Sequence, residues 1–321
     1  MKGIFFSMIL VFIIIFLIMF VLIQQSLIFS YSVQKSVENR INAMLGFYDS
    51  IIFDSKKSLE IVSKRAIPSA TSYVVTSGIP LSSANESIAI LMTNGTINGT
   101  FQDLMTGSTT VDWQNSIKYI GNLQGFQTNV VVKYILIQPA DSFHISVTYT
   151  IYVNISDVIS NTNFTKISQE NLILSVENFE DPLYPLNTYG RTVNVLKQSP
   201  HWNNYSSSDL TNLKDDLNNS YYHPSLNGAS FLDRLEGKYF IQSKYQKPYT
   251  IGLESFVNKD EIALSGLPVN SGASNIDYFY FSSSSVPAYV ISGMPSNFRL
   301  DNETTIGGKT HLQIYNASAI I

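Results

Sequence analysis

The chain has 321 residues, with 20 Lys and Arg against 24 Asp and Glu, and no cysteine. The missing Cys excludes thiolate catalysis, disulfides and Cys-ligated zinc or iron–sulfur sites. Charged residues make up 14% of the chain, low beside the ~25% of a soluble globule; seven of the basic residues lie at or before Ile67, which leaves the remainder mildly acidic and without an electrostatic surface for nucleic acid.

The first element is apolar. Ile4 to Ile23 are twenty residues with Ser7 as the one polar position. At ~1.5 Å per residue they reach roughly 30 Å, the thickness of a bilayer core. A cleaved export signal has a core of ~7–15 residues followed by a small-residue exit, and Gln24-Gln25-Ser26-Leu27 is no such exit. Residues 1–31 are therefore predicted to be a retained transmembrane anchor. Beyond it, Val33, Val37, Ile41, Met44, Tyr48 and Ile52 recur at three- and four-residue spacing, and Leu59, Val62 and Ala66 resume the stripe. This predicts a membrane-proximal amphipathic helix over 32–67, closed by Pro68, which disfavours helical geometry in the residue before it. Residues 68–321 are expected to form an extracellular α+β domain, with a subdivision near 199–227.

Short helices are predicted at 69–77, 82–92 and 111–124. The last has Thr110 as N-cap and places Trp113, Ile117, Ile120 and Leu123 on one face. From Asn129 the period changes to two. NVVVKYILIQ leads through Pro139-Ala140-Asp141 into a long strand in which Phe143, Ile145, Val147, Tyr149, Ile151, Val153 and Ile155 share a buried face. Strands at 170–178 and 191–197 complete an expected four-stranded meander with helices packed on it. HWNNYSSSDLTNLKDDLNNSYYHPSLNG reads as an irregular surface excursion. ASFLDRLEG reads as a short helix, and 238–243, DYFYF and HLQIY read as short strands.

Few residues suggest chemistry. His144 falls on the polar face of the long strand. His201 and His223 share a region with Asp209, Asp215 and Asp216, yet no two histidines have recognised ligand spacing. Ser32-Val-Gln-Lys35 matches a Ser-x-x-Lys pattern formally, but its partner motifs are absent and it lies on the helix leaving the membrane. No catalytic residue, metal ligand or cofactor is assigned. Nine Asn-x-Ser/Thr acceptors, at Asn85, Asn94, Asn98, Asn154, Asn163, Asn204, Asn218, Asn302 and Asn316, suit an exported, glycosylated ectodomain. Trp202, Tyr205, Tyr221 and Tyr222 supply a candidate binding surface, since Tyr and Trp tolerate a half-wet interface.

The opening Lys2-Gly3, followed at once by the apolar run from Ile4, resembles the class III, prepilin-like signals of archaeal surface proteins. That resemblance implies cleavage after Gly3, a mature chain beginning at Ile4, and an apolar helix retained in the membrane or in a filament core. Met8 stands where that family carries a polar residue. KGIFFS, NFEDPLYPLNTYG, SFLDRLEGKY and IGLESFVN together resemble a group of membrane-tethered archaeal surface proteins with no activity attached. The expectation is a noncatalytic, single-pass cell-surface protein, pilin-like or an accessory of the envelope. Its expected partners are the lipid bilayer and further copies or envelope components. The alternative is a tethered adhesion module for a surface glycan or protein; a carboxylate-based hydrolase ranks below both.

Overall fold

The computed structural model describes residues 2–242, 244–245, 250–305 and 308–320. The fold is α+β. In chain order the elements are α1 (Lys2–Ser77), α2 (Ala84–Asn94), β1 (Thr96–Ile97), β2 (Thr100–Phe101), α3 (Thr110–Leu123), β3 (Phe126–Pro139), β4 (His144–Asp157) and β5 (Thr162–Ser175). There follow α4 (Leu183–Thr188), α5 (Thr211–Asn219), β6 (Tyr222–Ser225), α6 (Phe231–Leu235), β7 (Gly252–Ser255), α7 (Lys259–Leu264), α8 (Asp277–Phe281), β8 (Ala288–Val290), β9 (Arg299–Asp301) and α9 (His311–Ile314).

Helix α1 runs 76 residues, about 114 Å at 1.5 Å per residue. Among the described residues it is the one helix long and apolar enough to cross a membrane, and none of its most apolar window is buried. It does not stop at Ile67. Pro68 lies inside it, and the segment 69–77, expected as a separate helix, is its last two turns. A proline there costs roughly 3 kcal/mol in lost hydrogen bonding and crowding. Burial offsets it: Leu59, Val62, Ala66 and Ile67 before Pro68 and Ala70 and Val74 after it are all inaccessible to solvent or nearly so. The helix ends where Gly78 adopts φ +66° and donates its amide to the Val74 carbonyl, a left-handed cap suited to glycine.

The long strand is as its alternation predicts. Every second residue of β4 from Ile145 to Ile155 is buried, and Phe143 just ahead of it also points inward. The sheet order is β3-β4-β5, with consecutive strands joined by short turns, so each neighbouring pair is antiparallel. Strand β5 begins at Thr162 rather than near residue 170, and its polar, exposed residues make a charged edge. Among the described residues no fourth strand joins. Residues 191–197 instead hydrogen-bond locally to the turn before α4: Asn178 donates to the Leu196 carbonyl, Leu196 to that of Phe179, and Asp181 to that of Asn194.

Local chemistry moves three other expectations. Thr109, not Thr110, caps α3, its hydroxyl accepting from the Asp112 amide while Asp112 accepts from Thr109. DYFYF forms α8 rather than a strand, because Asp277, Tyr278 and Phe279 are all buried, which an alternating strand with one wet face does not allow. HLQIY is also helical, started by a reciprocal capping box between Thr310 and Gln313. The polar stretch after Pro200 contains α5, which buries Leu213 and Leu217 one turn apart.

The chain divides into two compact units that interleave along the sequence. One comprises Met1–Asp54, Asn115–Val131 and Tyr152–Ile167; the other comprises Ser55–Gln114, Val132–Ile151 and Ser168–Ile321. In the first, α1 becomes amphipathic only past Arg40. Met44, Phe47, Tyr48 and Ile51 are buried, whereas Val33 and Ile41 are exposed. Phe47 stacks on Phe126 at 5.9 Å and Tyr48 meets Phe164 edge-on at 5.1 Å. Arg40 grips both carboxylate oxygens of Asp157 at 2.7 and 2.9 Å and lies 4.5 Å over the Phe126 ring. That bidentate contact holds the Asp157 carboxyl well below the usual range. The second unit has an aromatic core around Phe256, Ile276, Tyr278, Phe298, Leu300 and Tyr315, closed by Leu213 and Leu217 of α5.

Candidate ligand cleft

The site lies within the second unit, on the two-stranded ladder of β6 and β7. Antiparallel pairing sets His223 opposite Glu254 and Pro224 opposite Leu253. Both His223 and Glu254 are buried. A buried carboxylate and imidazole need partners for every polar atom, and two short helices with the segments beside them supply them. Asp216 of α5 lies 3.0 Å from His223 Nε2 and accepts from the hydroxyls of Tyr205 at 2.6 Å and Ser199 at 2.7 Å. Tyr315, just past α9, donates to Glu254 Oε1, and its oxygen lies 3.1 Å from His223 Nδ1. His311, the first residue of α9, contacts Asp301 through Nδ1 at 2.6 Å and Glu254 through Nε2 at 3.5 Å.

The result is a continuous buried chain: Ser199, Asp216, His223, Tyr315, Glu254, His311, Asp301 and Ser274. Burial alone disfavours the His311 imidazolium, but the Glu254 charge and the Asp301 hydrogen bond outweigh it and raise the pKa to about 10. Burial likewise opposes the Asp216 and Glu254 carboxylates. The imidazoles facing them, His223 and His311 respectively, bring both below their ordinary values.

A second buried cluster braces the ladder from below. The Arg234 guanidinium, on α6, sits between Asp181 at 2.5 Å and Asp277 at 2.9 Å and donates to the carbonyls of Ala229 and Leu253. Tyr222 donates to Asp181 and Ser255 to Asp277. Asp181, Arg234 and Ser255 come from the segments NFEDPLYPLNTYG, SFLDRLEGKY and IGLESFVN. Three of the four stretches singled out in the sequence thus converge on one ion cluster. Gly252 is required beside it, since a Cβ would run into the carbonyl oxygens of Gly228 and Ser225.

Above the ladder lies a cleft of about 290 Å³ lined by Trp202, Asn203, Glu254, Thr305, Lys309 and Ile314. A neighbouring cleft of about 390 Å³ has Asp141, His144 and Gln198 on its rim, and the two share Trp202, Pro224 and Thr250. The indole of Trp202 stacks on the buried His223 ring, centroids 5.4 Å apart and planes 27° apart. His144 Nδ1 lies 2.9 Å from both Asp141 carboxylate oxygens. Trp202 thus forms an aromatic ridge shared by two hollows whose rims carry polar groups able to hydrogen-bond.

Of the candidate binding residues, Trp202, Tyr205 and Tyr221 are half-buried, and only Trp202 lines the cleft. Tyr222 is fully buried and belongs to the ion cluster, so it presents nothing to a surface ligand. His201 pairs with Asp215 at 2.8 Å, apart from the His223–Asp216 pair, and among the described residues no three His, Asp or Glu side chains are grouped to hold a metal. Of the nine glycan acceptors, Asn94, Asn98, Asn163, Asn204, Asn218, Asn302 and Asn316 are exposed, and Asn85 and Asn154 are half-exposed. Gly3 and Ile4 lie in the first turn of α1. Glu254, Asp301, His311 and Lys309 went unassigned in the sequence. The one available signal was an ionisable residue inside the otherwise uncharged IGLESFV. Compared with known proteins, the chain matches no family model, no curated protein and no solved structure.

Proposed function

We propose that this chain is a noncatalytic, single-pass membrane protein of the cell surface, with its folded part outside and a pilin-like or accessory role in the envelope. One observation carries the reading: from Met8 to Ile23 every side chain described is apolar and 42–71% exposed. Such a surface in water forfeits about 25 cal/mol per Å², and a bilayer removes that cost. The bare apolar half of α1, continuing into a half packed on an antiparallel sheet, suits a prepilin-like chain cut after Gly3. Acceptor asparagines that all reach solvent support an exported face. Replacing Ile13 and Phe16 together by lysine is expected to release the protein from alkali-washed native membranes, since each central charge costs ~2.5–3.5 kcal/mol on insertion scales. Retention of that double variant in the membrane pellet would overturn the anchor. Intact-mass measurement of native material reports cleavage after Gly3 and sugar occupancy directly.

The Trp202 ridge favours a second reading, a tethered module that binds a surface saccharide. Trp202→Ala is expected to weaken binding to a glycan array by on the order of tenfold or more, as truncation of a central aromatic does, without changing the melting temperature greatly. Equal binding by both proteins would remove the cleft from consideration.

A further inference from the structure

We propose that the turn between β4 and β5, together with the C-terminal end of α3, rests in the headgroup layer of the bilayer that α1 crosses. The inference builds on the anchor reading and adds a second lipid contact to it. All residues concerned belong to the first compact unit.

The levels along α1 make the case. No charged residue occurs between Lys2 and Lys35; those ~32 residues rise ~48 Å, slightly more than the ~40–45 Å of a bilayer with its headgroup layers. Lys35 therefore marks the outer headgroup boundary. Contacts between α1 and the strands step back toward that level: Tyr48 meets Phe164, Met44 meets Thr162, and Arg40 meets Asp157. The turn 158–161 lies beyond the last of these, on the Lys35 side. At its tip Val158 and Ile159 are 68% and 82% exposed.

The end of α3 arrives at the same level, because Arg40 also reaches the carbonyls of Gln124 and Gly125. The apolar face that the sequence places on this helix is only half covered there. Ile117 is buried, while Ile120 and Leu123 are 42% and 70% exposed and Tyr119 is 65% exposed. Two apolar groups from separate parts of the sequence thus crowd one level of the anchor, with a tyrosine and the exposed Lys118 beside them. Aliphatic side chains rimmed by Tyr and Lys are the composition of an interfacial lipid contact, and lipid is the occupant that continuity with α1 supplies.

Because the chain has no cysteine, a single introduced thiol carries an environment-sensitive fluorophore to one site. Full-length Ile159→Cys, Leu123→Cys, Ile167→Cys and Phe16→Cys are labelled and reconstituted into phosphatidylcholine–phosphatidylglycerol vesicles doped with nitroxide lipids. Ile167 is the reference: exposed, in the same unit, and ~17 Å up strand β5 from Thr162. The expected result is that a headgroup nitroxide removes most emission at 159 and 123 and little at 167, while a deep acyl nitroxide quenches 16. If 159 and 123 are quenched no more than 167 while 16 is quenched, the contact is wrong and the anchor stands. If 16 also escapes, the anchor reading fails and takes the inference with it. Protection at 159 that grows with protein density and ignores lipid nitroxides assigns the patch to a second copy, and likewise overturns the proposal.

Discussion

Replacing Arg234 by methionine is expected to cost about 3–5 kcal/mol of stability, the penalty for stranding buried charges. The guanidinium has no solvent exposure, and neither do the Asp181 and Asp277 carboxylates it sits between. Removing it leaves two like charges facing each other in a medium that solvates neither, and also strips donors from the Ala229 and Leu253 carbonyls. The loss propagates to the cleft, because the Leu253 carbonyl adjoins Glu254 on β7. Thermal unfolding of the full chain in detergent is the measurement. A triple variant, Arg234→Met with Asp181→Asn and Asp277→Asn, is expected to recover part of the loss, since it removes the charges rather than their partner. An Arg234→Met protein that melts with the parent would show that the cluster does not hold the ladder.

The second large effect is on the alkaline side of the pH–stability profile. The His311 pKa is raised to about 10 in the folded protein, against ~6.5 in the unfolded chain. A raised pKa means that the folded state holds a proton the unfolded state gives up. The resulting stability is complete below about pH 6.5 and is lost progressively up to about pH 10. With both negative partners buried, the loss is on the order of several kcal/mol. The acid side has the opposite sign. Asp216 and Glu254 are held below their ordinary values, so their contribution is present above the usual carboxylate range and disappears as pH falls beneath it. Stability is thus expected to peak between about pH 5 and 6.5. Urea unfolding midpoints measured from pH 4 to 10 test this. His311→Gln should flatten the alkaline decline while lowering the maximum; a variant profile that declines from pH 6.5 to 10 as steeply as the parent's would rule out a charged His311.

The parts of the fold read correctly from sequence are those where one-dimensional pattern and burial coincide. The apolar opening helix is one, since twenty residues without a charge leave little else. Strand β4 is another: its six alternating apolar residues, with Phe143 just ahead of them, line the core while polar residues take the other face, so period and environment agree.

The misses share a cause. Pro68 sits in a helix because Ala66, Ile67, Ala70 and Val74 are buried around it, and packing outweighed the local preference. DYFYF has strong strand propensity but became helical where Asp277 meets Arg234 and Tyr278 meets His311. HLQIY carried a Thr-x-x-Gln capping signature that its strand-like composition masked. Residues 191–197 failed to join the sheet because their backbone groups were taken by the neighbouring turn.

Sequence by itself therefore determined the long apolar opening helix, the change from helical to alternating period at Asn129, and the α+β class, because each is set by the spacing of apolar residues along the chain. Only the tertiary structure decided the cleft and its two buried charge networks. Their members span Asp181 to Tyr315, and a carboxylate or imidazole gains its charge state from groups brought within about 3 Å by folding, a proximity that residue order does not encode.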